Sequence, residues 1–123
     1  MATWQEVQDF LNQFQVSLEL GRYSVKIRKK NEQALVDLDI TPSERRKILM
    51  RLQPSDYHAG PKPDDTDDTK QVWEFGKTVQ GKEVYIKLQV VDDPKIRKAH
   101  HAVLWSFHPA EFRLKYPLRG GRK

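Results

Sequence analysis

Val72-Trp73-Glu74-Phe75-Gly76-Lys77 and Glu83-Val84-Tyr85-Ile86-Lys87-Leu88 flank the pair Gln80-Gly81, and together they predict an antiparallel hairpin with a tight turn. A two-residue turn sets Trp73 opposite Leu88, Phe75 opposite Ile86 and Glu74 opposite Lys87. Opposed residues share a face, so the apolar partners fall together on one side. Glu74, Tyr85 and Lys87 fall together on the other, with Gly76 leaving room over the tyrosine. The apolar pairs select this register without reference to the polar ones. The agreement marks one face as core and the other as a candidate site.

Outward from the hairpin, Ala102-Val103-Leu104-Trp105-Ser106-Phe107-His108 reads as a further strand stopped by Pro109. With Val103, Trp105 and Phe107 toward the core, Ser106 and His108 join the polar face. Upstream, Thr3-Trp4-Gln5-Glu6 is a capping box, and Val7, Phe10, Leu11, Phe14 and Leu18 follow at helical spacing to about Leu20. Tyr23, Val25 and Ile27 alternate with polar residues as a short strand. Asn31 is read as the cap of a short helix with Ala34, Leu35 and Leu38. Thr41-Pro42-Ser43-Glu44 starts another helix, with Ile48, Leu49 and Leu52 inward and Arg45, Arg46, Lys47 and Arg51 mostly outward. Residues 58–70, with Pro61, Pro63 and four aspartates, read as a mobile acidic loop, and residues 117–123 as a frayed basic tail. The order predicts an α+β fold in one domain, residues 1–123: a small, mostly antiparallel sheet with N-terminal helices on one face.

Hydrophobic residues make up 37% of the 123 and charged residues 32%, so the core must lean on its twelve aromatic side chains. The absence of cysteine excludes disulfides and thiolate metal sites and fits a reducing cytoplasm. No signal-peptide pattern opens the chain, and no apolar run has transmembrane length. The net charge of +5 is unevenly spread: residues 22–51 hold nine basic and four acidic side chains, and residues 56–70 hold five acids and two lysines. Such basic surface attracts polyanions, though a solvated surface has the same composition.

Several groups could carry chemistry. Glu74, Tyr85 and Lys87 offer a base, a phosphate donor and a charge stabiliser, although Glu74 and Lys87 alone make an ordinary cross-strand ion pair. His108 would reach the rim of a cleft, and histidine is suited to proton transfer near neutrality. Arg28, Lys62, Arg113, Lys115 and Tyr116 could hold phosphates and stack a base. The aspartates at 64–68 lack the glycine and glutamate of a calcium loop, and no metal or other cofactor is expected.

In their order and spacing, residues 72–77, 81–88 and Ser106-Phe107-His108-Pro109-Ala110-Glu111 resemble the MqsR-type toxins of bacterial toxin–antitoxin modules. Leu52-Gln53-Pro54-Ser55-Asp56-Tyr57 is similar to that family's helix-to-loop junction. The resemblance spans roughly residues 20–117 and implies a RelE-like fold. It also implies a metal-independent, sequence-selective endoribonuclease acting on messenger RNA in the cytoplasm and neutralised by a cognate antitoxin. By position, the matching site residues are Glu74, Tyr85, Lys87 and His108, with Lys62 in place of a basic residue that other members carry just after the junction. Glu74 or neutral His108 would take the proton from the RNA's 2′-hydroxyl. A non-catalytic RNA-binding or ribosome-associated module using the same basic face is the competing expectation.

Overall fold

Two threonine caps set the helical layer. Thr3 and Thr41 accept from the backbone N–H groups of Glu6 and Glu44, whose carboxylates accept from the cap N–H groups in return. In the computed structural model, which describes residues 1–120, these boxes start helices α1 (Trp4–Glu19) and α3 (Pro42–Met50). α1 ends where Gly21 turns to φ 77°, its N–H donating to Leu18 while that of Arg22 donates to Ser17. Gln15 then reaches the carbonyls of Leu49 and Leu52, binding α1 to the end of α3.

The remaining elements are β1 (Tyr23–Val25), α2 (Lys29–Asp37), a 3-10 turn (Pro54–Asp56), β2 (Tyr57–Pro63), β3 (Gln71–Val79), β4 (Lys82–Asp92) and β5 (His100–Pro109). The sheet order is β1-β5-β4-β3-β2, with β1 parallel to β5 and every other pair antiparallel. This is the expected α+β layout. Phe10, Leu11, Phe14, Leu18, Ala34, Leu38 and Leu49 share one core with Phe75, Ile86, Leu88, Leu104 and Phe107. Phe10 lies flat on Trp73, with ring centroids 4.7 Å apart.

The hairpin has the expected register: Trp73 opposes Leu88, Glu74 opposes Lys87 and Phe75 opposes Ile86. Gln80 and Gly81 both adopt positive φ, 49° and 77°, which suits the twist of a two-residue hairpin turn. Gly76 opposes Tyr85, but the room above it is taken. A Cβ there would lie 2.4 Å from the Tyr116 hydroxyl and 2.6 Å from a Leu114 methyl. The segment after β5 therefore crosses the polar face at this glycine.

Several expectations need correction. β4 and β5 pair as Tyr85 with His108, Ile86 with Phe107 and Lys87 with Ser106, then resume at Leu88 with Leu104. Trp105 is the extra residue of a bulge, and the phase of the strand changes there. Ala102, Leu104 and Phe107 are fully buried members of the core, whereas Val103 pairs with Gln89 and Trp105 bonds to it, on the polar face. Asn31 does not cap α2, which begins at Lys29 after Arg28. It is buried within the helix, and its amide bonds to the bulge: Nδ2 donates to the carbonyls of Lys26 and Trp105, and Oδ1 accepts from the N–H of Phe107. Backbone groups that a bulge takes out of the ladder are thus satisfied by one side chain.

Residues 58–63 belong to β2 rather than to a loop. β2 is an edge strand with two register irregularities, where proline does not interrupt a ladder on both sides. Residues 64–70 are pinned rather than mobile: Asp64 is buried, and its N–H donates to the carbonyl of Lys70. Arg45 is buried instead of outward, and Ile27 lies beyond β1, 91% exposed. In the expected tail, Leu118 is buried in the core; residues 121–123 lie outside the described residues.

Candidate functional site

The face of the sheet away from the helices centres on Tyr85. β3 supplies Glu74, β4 supplies Tyr85 and Lys87, and β5 supplies Ser106 and His108. Strand pairing sets His108 directly beside Tyr85, with ring centroids 5.6 Å apart. Lys87 lies between Glu74 and Ser106.

Glu74 is buried and surrounded by donors. Lys62 Nζ from β2 stands 3.3 Å from both carboxylate oxygens, and His58 Nε2 is 3.9 Å from Oε1. Tyr85 also bonds to it: burial first, then the charge and hydrogen bond of Glu74, hold the phenol well above its ordinary range. Tyr85 is therefore a donor that keeps its proton. The expected Glu74–Lys87 ion pair is replaced by Glu74–Lys62. Lys87 instead lies 5.7 Å from the centre of the Trp105 ring, with Lys26 at 4.6 Å from the same ring.

His108 Nδ1 is 2.9 Å from the carbonyl oxygen of Pro109. A carbonyl only accepts, so Nδ1 carries the proton and the neutral ring presents a lone pair at Nε2. His58 is held differently. Its Nδ1 is 3.0 Å from the N–H of Lys115 and 2.9 Å from the carbonyl of Lys115. Nδ1 thus faces both a donor and an acceptor of Lys115, and Nε2 faces Glu74. His58 is not among the residues that the sequence singles out. The signal was the alternation at Tyr57-His58, in which a buried tyrosine turns the next side chain to the other face.

The residues expected to contact phosphate are distributed unequally. Arg28 Nη1 donates to Ser106 Oγ at 2.9 Å and so belongs to the site's β1 edge. Arg113 and Lys115 are exposed on the segment after β5. Lys62 is engaged with Glu74. Tyr116 is committed to packing: its hydroxyl donates to Glu83, the Arg119 guanidinium covers its ring at 3.8 Å, and burial followed by Glu83 pushes it up to about 12. Phe112, which the sequence reading passed over, sits between Tyr85 and His58.

The acidic segment closes the opposite end. Asp64 accepts from the N–H and hydroxyl of Thr66 at 2.8 Å and from Gln89 Nε2 at 2.7 Å, while Gln89 Oε1 accepts from Trp105 Nε1 at 2.9 Å. This relay fixes the indole at the bulge. The Thr66 backbone, then Gln89, the Thr66 hydroxyl and the charge of Lys87 hold Asp64 at about 2. A depressed carboxyl adds stability that is complete above the ordinary carboxylate range and lost as pH falls through its folded value. Urea unfolding of the wild type and Asp64→Asn should therefore show a stability gap at about pH 6 that narrows toward about pH 2. A gap independent of pH would remove Asp64 as the anchor of this segment.

Among the described residues, no three His, Asp or Glu side chains converge as a metal site, and no helix is long and apolar enough to cross a membrane. No protein-family model matches the chain, and no curated protein matches it either.

Proposed function

We propose that this chain is a metal-independent endoribonuclease toxin, cutting messenger RNA in the cytoplasm through the RNA's own 2′-hydroxyl and held in check by a cognate antitoxin. The observation that carries the reading is the grouping of an imidazole with a free lone pair, a phenol that keeps its proton and an ammonium on two neighbouring strands. That set is sufficient for transesterification, because the nucleophile comes from the substrate.

His108 Nε2 takes the 2′-hydroxyl proton, and the oxygen attacks phosphorus. The bond from phosphorus to the 5′-oxygen breaks, and that oxygen takes up a proton from solvent. Lys87 and Arg28 stabilise the charge that grows on the phosphate oxygens, while Tyr85, whose one proton goes to Glu74, walls the site beside His108. Glu74 is a positioning residue here rather than the base, since Lys62, Tyr85 and His58 already engage its oxygens. The products are a 2′,3′-cyclic phosphate and a 5′-hydroxyl.

Incubating the purified protein with RNA and mapping both product ends tests the reading. Cleavage that yields those ends and persists in EDTA is expected. Bound but uncut RNA would leave the binding-module alternative, and loss of cutting in EDTA would replace the mechanism with a metal-dependent one. Growth arrest on expression, relieved by the product of a neighbouring gene, tests the toxin–antitoxin part separately.

A further inference from the structure

Phe112 is 54% exposed in a place where an exposed aromatic ring needs explanation. The other large hydrophobic side chains exposed among the described residues are not aromatic: Met1, Val16, Leu20, Ile27, Val36 and Ile96. Phe112 follows the strand end that carries His108, and the rings of His58 and Tyr85 lie 5.9 and 5.8 Å from its own. Both contacts are tilted, at 48° and 57°, so neither ring covers Phe112 face to face. The ring is held in position with a face left open.

The other aromatics near this face are occupied. Trp105 has Lys26 and Lys87 against its ring and its N–H on Gln89, and Tyr116 lies under Arg119. The carboxylates around Phe112 are engaged as well: Glu111 with Lys30 at 2.7 Å, Glu83 with Tyr116, and Glu74 with Lys62. Exposed Arg113 and Lys115 follow the ring in sequence, and Glu111 before it is paired with Lys30. A polyanion thus approaches an apolar ring whose surroundings are cationic.

We propose that Phe112 is the stacking platform for an unpaired nucleobase adjacent to the phosphate held by Lys87 and Arg28, so that the substrate is single-stranded at that step. The inference rests on the reading above and names its substrate class. Bases inside a duplex have both faces covered and cannot stack on a side chain, whereas a splayed base can. Stacking accepts any base, so Phe112 sets strandedness and affinity, and sequence choice lies in other contacts.

The test uses binding, which does not depend on cleavage. Fluorescence anisotropy with a labelled all-2′-O-methyl oligonucleotide, which lacks the nucleophile, should show Phe112→Ala weakened about 10- to 100-fold and Phe112→Trp close to wild type. In a series carrying one abasic residue at each position in turn, one member should bind the wild type as weakly as the complete oligonucleotide binds Phe112→Ala. Phe112→Ala should lose nothing further on that member. A fully paired duplex should bind wild type and Phe112→Ala alike. Equal affinity of wild type and Phe112→Ala for the complete oligonucleotide, or an equal abasic penalty in both at every position, would overturn the inference. Cleavage of ordinary RNA is scored separately: no cutting with the binding pattern intact sinks the nuclease reading alone.

Discussion

His108→Ala should lower the rate of RNA cleavage by about 10²- to 10⁴-fold, the range that a positioned general base contributes. The loss should fall on kcat, with RNA affinity nearly unchanged, because the phosphate is held by Lys87 and Arg28. His108 is the penultimate residue of β5, only partly buried, and its ring lies against Tyr85 rather than in the core, so the variant should fold. Single-turnover cleavage at saturating protein, beside a thermal melt of the same sample, makes the measurement. Undiminished cleavage would remove His108 from the reaction and return the base assignment to Glu74. The engagement of Glu74 by Lys62, His58 and Tyr85 would then need to be broken by substrate.

Asn31→Ala should produce the largest loss of stability. The side chain serves two carbonyls and one N–H, all at 2.9–3.1 Å, and it is 2% exposed. Removing it leaves buried backbone groups without partners, at a cost of about 2–5 kcal/mol. That corresponds to a fall in Tm of roughly 10 °C or more. Asn31→Asp keeps the acceptor for Phe107 but loses both donors, and it should be nearly as unstable. At temperatures where Asn31→Ala is still folded, cleavage should fall too, since the amide fixes the turn of chain between Trp105 and His108. Denaturant melts within about half a kcal/mol of wild type would show that the bulge holds itself.

The hairpin and the first and third helices were legible because each rests on local rules that agree. Cross-strand apolar pairs fixed the register of β3 and β4, and two threonine–glutamate boxes fixed the helix starts. What escaped depends on distant partners. β2 is masked by Gly60, Pro61 and Pro63, residues that an edge strand tolerates and a central strand does not. The bulge at Trp105 carries no mark in its own sequence, because the groups that permit it sit on Asn31, far along the chain. Arg45 has the composition of a surface residue and the position of a buried one. The site was legible in part for the same reason. Glu74, Tyr85, Lys87 and His108 follow from register alone, whereas His58 reaches Glu74 only because β2 pairs with β3. Phe112 is placed by a segment with no periodicity to read.

The sheet inserts its last strand between its first and its fourth, so that β5 lies between β1 and β4. Arg28 and Ser106, which meet across that junction, are 78 residues apart. On a translating ribosome, the N-terminal helices and the Glu74–Tyr85 ribbon emerge first, with the imidazole and its strand still inside the exit tunnel. A nascent chain that stops short of β5 therefore holds Glu74 and Tyr85 without His108 and none of that junction. The contacts between β1 and β5 form only after β5 has followed every other strand of the sheet out.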